Sequence, residues 1–250
     1  ACESDEDEIQ GCYRDFDEHE TVDMTVEEIF VQSSNVGTIT VAETLGQDKL
    51  VEYIQAFGLG QPTGIDYGAE ASGILNFAAG CETCWASGAI GYSVAVSPIQ
   101  MAAAYAAIAN DGQWITPHIV SSVTDATGET AVAGIETHQV VSPETAELMR
   151  YLLAGVVDVG TGTSAAVEGY RVGGKTGTAN ILGEDGHYTD ATRASFVGMA
   201  PIDDPKVVVA VLIDSPAHSY RTGGASAAPV FSKVMEQALH RLGVTPDGKE

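Results

Sequence analysis

The sequence has 250 residues, 44% of them hydrophobic. That is enough for a packed core in one large domain or two small ones, and it excludes wholesale disorder. With 35 acidic residues against 11 basic ones the net charge is −24, which argues against nucleic acid or anionic lipid as a partner.

Acidic residues crowd the start, in the run Glu3 to Glu8 and again at Asp15, Asp17, Glu18 and Glu20. Residues 1–21 therefore read as a solvated, poorly ordered segment, with a cation site as the less favoured alternative. No apolar run reaches the roughly 18 residues of a membrane span. The sequence opens without an initiator Met or a signal peptide, so it reads as a piece of a longer product.

"TVEE", Thr25 to Glu28, is a capping box that predicts a short helix running toward Gln32. "SSN" follows, then helical patterns over "VGTITVAETL" and "DKLVEYIQAF", the second closed by Gly58. Residues 58 to 96 are rich in glycine with few periodic cues and read as a long functional loop region. Within it, Cys81 and Cys84 form "CETC"; with Cys2 and Cys12 elsewhere, disulfides, free thiols and a metal site all remain open.

"SPIQ", Ser97 to Gln100, is a second capping box with Pro98 at the first helical position, opening an alanine-rich helix that stops at "NDG". "WITPHIVSSVTDATGETAV" predicts two strands around the "DATG" turn. "SPETAELMRYLLAGVV" predicts a helix capped by Ser142. Three strand-like segments follow with short connections, "YRVGGKTGTAN", "ASFVGMAPI" and "KVVVAVLID", and should pair antiparallel. The last helix, over residues 229 to 242, carries an apolar stripe of Val230, Phe231, Val234, Met235, Ala238, Leu239 and Leu242 that should lie on the sheet. The six histidines show no ligand spacing and read as surface or loop residues.

Gly169, Gly174, Lys175 and Thr176 satisfy the text of a phosphate-binding loop. Such a loop must leave a strand and open a helix, so that aligned amides meet the phosphate. Here a helix and the loop "GTGTSAA" precede the lysine, and "TGTANILGEDG" follows it with no helical stripe. The context excludes a nucleotide. "GTGTSA" likewise lacks the strand-helix-strand unit of a dinucleotide site.

A second reading makes Lys175 to Thr178 part of a strand. Gly173, Gly174 and Gly177 then remove side-chain bulk, so that a substrate backbone can approach the strand. A lysine beside threonine hydroxyls suits a carboxylate, and the strand edge can give an amide to an oxyanion. Taken singly, Ser33 to Asn35 is as well explained by helix capping, and "KTGT" by an ordinary edge strand.

Together, and in this order, "QSSNVGT", "FGLGQPTGID", "SPIQMAAAYAAIANDG", "GKTGTAN", "ASFVGMAPIDDPKVVVAVLID" and "GGASAAPVFSKVMEQAL" resemble the transpeptidase domain of class B penicillin-binding proteins. The resemblance spans residues 22–246 and leaves 247–250 as a tail. It implies an α+β fold, an antiparallel sheet flanked by helices on both faces, incomplete at its N-terminal side. It implies that Ser33 relays a proton toward the leaving amine, that Asn35 binds the catalytic lysine and the substrate amide, and that Lys175 supplies positive potential beside Ser33. Thr176 and Thr178 would hold the substrate or β-lactam carboxylate, and the strand at Gly177 and Thr178 would supply half of an oxyanion hole.

No cofactor or metal is implied. The implied partners are peptidoglycan stem peptides, β-lactams, a membrane-bound glycan polymerase and proteins of division or elongation. The implied location is the extracytoplasmic face of the bacterial membrane, reached by an N-terminal anchor outside this sequence. The family's S-x-x-K motif occurs at none of the serines, so the acylated serine and its lysine base are expected upstream. A β-lactam-sensing or purely structural module is the alternative.

Overall fold

The computed structural model describes residues 13–17, 19–76, 84–125, 127–131, 135–183 and 186–248. The run Glu3 to Glu8, together with Cys2, Cys12 and Cys81, lies outside these residues. Tyr13 to Asp17 are described, and they lie against the domain upstream of the boundary expected at residue 22.

Helix α1 (Val26–Gln32) starts where its capping box places it. The Thr25 amide donates to Glu28 Oε2 at 2.7 Å and the Glu28 amide returns to Thr25 Oγ1 at 3.2 Å. Helices α2 (Asn35–Leu45) and α3 (Gln47–Ala56) follow. The glycine-rich region then holds more structure than expected. It contains strand β1 (Ile74–Leu75) paired with β2 (Val94–Ala95), and helix α4 (Cys84–Ala89) between them. Two-residue strands and a six-residue helix are too short to leave a period in the sequence.

Cys84 is disulfide-bonded. Thiol titration of the denatured, unreduced chain should therefore find at most two of the four cysteines reactive. Four reactive thiols would contradict the bond.

Helix α5 (Pro98–Ala109) opens on the Ser97–Gln100 box. Gln100 does more than cap. Wholly buried, it also donates to the carbonyls of Gln61 and Ser72 at 2.6 and 3.0 Å, tying the preceding loop to the helix.

Beyond α5 the predicted pairing is only half right. Strands β4 (Ser122–Asp125) and β5 (Gly128–Ala131) do form a hairpin over "DATG", but β3 (Gln113–Ile115) pairs instead with β6 (Thr137–Gln139). His138, in β6, is a surface residue as expected, and its ring stacks on the buried Trp114 at 5.2 Å.

Helix α6 (Pro143–Asp158), capped by Ser142, leads into the main sheet of β7 (Gly173–Leu182), β8 (Tyr188–Ala200) and β9 (Val207–Asp214), antiparallel in that order. Helix α7 (Ala227–Leu242) covers one face, where Phe196 of β8 meets Phe231 with ring centroids 4.6 Å apart. Helices α5 and α6 supply Ile108, Leu153 and Ala154 to the other face, against Met199 and Ile202. The observed fold is α+β, an antiparallel sheet with helices on both faces.

The α7 stripe is only partly used. Phe231, Met235 and Leu239 are fully buried, whereas Val230, Val234 and Leu242 remain 42%, 46% and 64% exposed. Among the described residues β9 also has no strand on its second edge. An open strand edge reading Val-Val-Val-Ala-Val-Leu-Ile, together with exposed apolar side chains on α7, favours association. Sedimentation velocity on this chain should show an average mass rising with concentration. A single monomer with high thermal stability would contradict that expectation.

Candidate active site

The corner between α1 and α2 is built under strain. Ser33 ends α1 in the left-handed region, at φ 62° and ψ 40°, which a non-glycine residue adopts only where its surroundings hold it. Ser34 then caps α2, its Oγ accepting the Gly37 amide at 2.9 Å, and its own amide donates to the Ile29 carbonyl at 3.0 Å. A Cβ on Gly37 would stand 2.7 Å from the Ile29 side chain, so glycine allows α1 and α2 to meet this closely. Asn35, the first residue of α2, donates its side-chain amide to the Arg14 carbonyl at 3.1 Å.

On β7 the glycines serve a purpose other than the one expected. A Cβ at Gly173 would lie 2.3 Å from Ile202, and one at Gly174 would lie 2.5 Å from the Phe196 ring. Their missing side chains make room for the chain's own core, not for a substrate. At Gly177 a backbone does approach, but it is the loop before α7. A Cβ on Gly223 would be 2.7 Å from the Gly177 carbonyl oxygen and 3.0 Å from its nitrogen.

Lys175 is the electrostatic anomaly. Its Nζ is buried and has no hydrogen-bond partner among the described residues. Desolvation pushes its pKa down to about 8, because an ammonium without water or counter-charge is disfavoured. Strand alternation puts it on the face of Gly173, which is paired with Met199, under α6.

The two threonines occupy the opposite face. Thr176 Oγ1 pairs with Thr161 Oγ1 at 2.8 Å, and Thr178 Oγ1 accepts the Gly223 amide at 3.0 Å. That acceptance leaves the Thr178 hydroxyl proton free to be donated to an anion.

The loop after α6, Gly160 to Gly162, brings the distant motifs together. A Cβ at Gly160 would lie 2.4 Å from the Val31 carbonyl oxygen, so this loop packs against the last turn of α1. The next residue, Thr161, holds Thr176. Ser33 and Asn35 on the helix corner and Lys175 to Thr178 on β7 thus flank one loop, although no hydrogen bond joins Lys175 to Ser33 or Asn35. Sequence reasoning misses Thr161 and Gly223. A threonine between two glycines, placed just before the strands, is the signal that could have found the first.

Among the described residues no group of three His, Cys, Asp or Glu side chains could hold a metal. A cavity of about 1050 Å³ opens away from these groups, and its Arg171 is already paired with Asp203. These groups are an unpaired ammonium on one face of β7 and threonine hydroxyls, tied to neighbouring loops, on the other.

Comparison with known proteins agrees with this picture. A family model of the penicillin binding protein transpeptidase domain matches residues 3–236. Stage V sporulation protein D of Bacillus subtilis is 43% identical over 226 residues, covering 88% of this chain and 34% of that protein. The probable peptidoglycan D,D-transpeptidase PbpC of Pseudomonas aeruginosa is 34% identical, covering 90% of this chain and 38% of its own length. The chain thus spans little more than a third of these relatives. The crystal structure of penicillin binding protein 3 from Mycobacterium tuberculosis, complexed with aztreonam, superposes with a TM-score of 0.84 at 33% identity, covering 94% of this chain and 55% of the other.

Proposed function

The chain belongs to the penicillin-binding protein transpeptidase family, and from that premise we propose that it is part of a peptidoglycan D,D-transpeptidase that cross-links stem peptides by serine acyl transfer. The observation that carries the proposal is the buried, unpartnered Lys175 ammonium, on the strand whose threonine hydroxyls hold the loops around the Ser33–Asn35 corner. A site that keeps a charge out of water and unpaired is arranged for a ligand that pairs with it.

In the proposed reaction a serine upstream of this sequence attacks the carbonyl of a D-Ala-D-Ala bond. The C–N bond breaks and terminal D-Ala leaves with a proton. An amine of a neighbouring stem peptide then attacks the ester, forming the new amide and returning the proton to the serine. Ser33 relays the first proton, and Asn35 orients the substrate amide. Lys175 supplies positive potential, Thr176 and Thr178 receive the carboxylate, and the amide at Thr178 is half of the oxyanion hole beside Gly177. β-Lactams take the place of the D-Ala-D-Ala end.

The reading places the protein at the extracytoplasmic face of the membrane, held by an upstream anchor and partnered by a glycan polymerase and by division or elongation proteins. Among the described residues no helix is long and apolar enough to cross a membrane. The Cys84 disulfide supports an oxidising compartment. Since S-x-x-K occurs nowhere in this sequence, a β-lactam-sensing or structural module is the second reading. Covalent labelling of an upstream-extended protein by a fluorescent penicillin separates them. An extended chain that carries S-x-x-K and stays unlabelled favours the second.

A further inference from the structure

The segment Tyr13 to Phe16 is bound at four successive residues to α4, to the Ser33–Asn35 corner and to the loop before α7. Tyr13 pairs its hydroxyl with Ser87 Oγ on α4 at 2.7 Å. The Arg14 carbonyl accepts the Asn35 side-chain amide at 3.1 Å. Phe16 lies under the Arg221 guanidinium, 5.8 Å from carbon to ring centroid, in the loop that continues to Gly223. Between them the Asp15 carboxylate accepts Ser34 Oγ at 2.9 and 3.1 Å and the Val36 amide at 3.0 Å. Its side chain is only 13% exposed, and His19 Nε2 meets it at 3.0 Å from the outer side.

These bonds straddle Asn35. Asp15 grips the residue before it and the residue after it, while the Arg14 carbonyl takes one of its two amide protons. An asparagine held in this way keeps its oxygen and its second N–H for another partner. Ser33, two residues earlier, sits in a backbone conformation that needs outside support. Burial alone pushes the Asp15 carboxyl up, but the bonds from Val36, His19 and Ser34 together hold it below its usual value, so it is ionised at neutral pH.

We propose that Asp15, with the Arg14 carbonyl, is a positioning residue for acyl transfer, locking the Ser33–Asn35 corner so that Ser33 and Asn35 meet the substrate in a fixed orientation. This rests on the transpeptidase reading. Asp15 touches neither the substrate nor the reacting atoms. It acts through the corner, and a loosened corner is expected to slow acylation by roughly ten- to hundredfold, the scale of a misplacement near 1 Å.

The test measures the acylation rate constant of the full-length protein with a fluorescent penicillin. Asp15→Ala should lower it by at least tenfold. Asp15→Asn keeps an acceptor for Val36 and a polar partner for Ser34, so it should recover most of the rate. Ser97→Ala removes a cap of similar kind from α5, away from the corner. It should lower thermal stability comparably while leaving acylation unchanged. Equal losses in Asp15→Ala, Asp15→Asn and Ser97→Ala would reduce Asp15 to a structural residue and overturn the proposal, as would a folded Asp15→Ala protein acylating at the wild-type rate. If Asp15→Ala does not fold, Asp15→Ser, whose short side chain cannot span Ser34 and Val36, takes its place: a rate at least tenfold below that of Ser97→Ala sustains the proposal, and a rate matching Ser97→Ala overturns it. Wild-type protein that is never labelled overturns the transpeptidase reading itself, and this proposal with it.

Discussion

On a denaturing gel, this 250-residue chain should carry no fluorescent penicillin, and the same chain extended upstream through S-x-x-K should carry it covalently. A stable adduct requires an activated serine within reach of a base. Loss of general-base help costs about 10² to 10⁴ in rate. The oxyanion hole loses its second donor together with that serine, at a further cost of about 10² or more. What remains here, Lys175 with the Thr176 and Thr178 hydroxyls, offers reversible carboxylate binding at most. A labelled band from the short chain would reveal a nucleophile outside the S-x-x-K pattern and would sink the assignment of roles.

Replacing Lys175 should move activity and stability in opposite directions. Its folded pKa of about 8 lies below the 10.5 of a solvated lysine because burial disfavours the charge. Between those two values the unfolded chain holds a proton that the folded chain has released, so stability rises with pH across that window. Below about pH 8 the full penalty is present, on the order of 3 kcal/mol. Lys175→Met should therefore raise the urea midpoint of this chain at pH 7, and the advantage should vanish as pH approaches 10.5. In the extended protein the same substitution should slow acylation by about 10² or more, the scale of losing a preorganised electrostatic donor. Wild-type acylation should weaken above about pH 8, as the lysine loses its proton. A destabilised Lys175→Met chain, or an extended variant acylating normally, would contradict this account.

Much of the scaffold is legible in the sequence because its signals are local. Thr25 with Glu28, and Ser97 with Gln100, announce helix starts through residues three apart, and both boxes form. The valine-rich run to Asp214 pairs antiparallel with β8, as the short turn between them implies. Features that leave no such trace depend on distance. Nothing near Gln113 says that its strand partner is Gln139 rather than the nearer hairpin. Asp15 sits in an acidic stretch that composition alone assigns to solvent, and only the arrival of Ser34 and Val36 makes it an acceptor. Gly173 and Gly174 read as clearance for a ligand, because sequence cannot show that Ile202 and Phe196 already fill the space.

The packing of Gly160 on Val31 has a consequence for synthesis. A ribosome releases the Ser33–Asn35 corner well before residues 160 to 178 exist, whereas a domain generally folds as a unit. Until Gly160 and Thr161 arrive, the left-handed serine lacks the loop that packs on α1 and links it to β7. Closing so long a loop is entropically slow, so the reactive geometry should be among the last features to appear in the nascent chain. A chain stalled before β7 would carry the serine motif with no strand behind it.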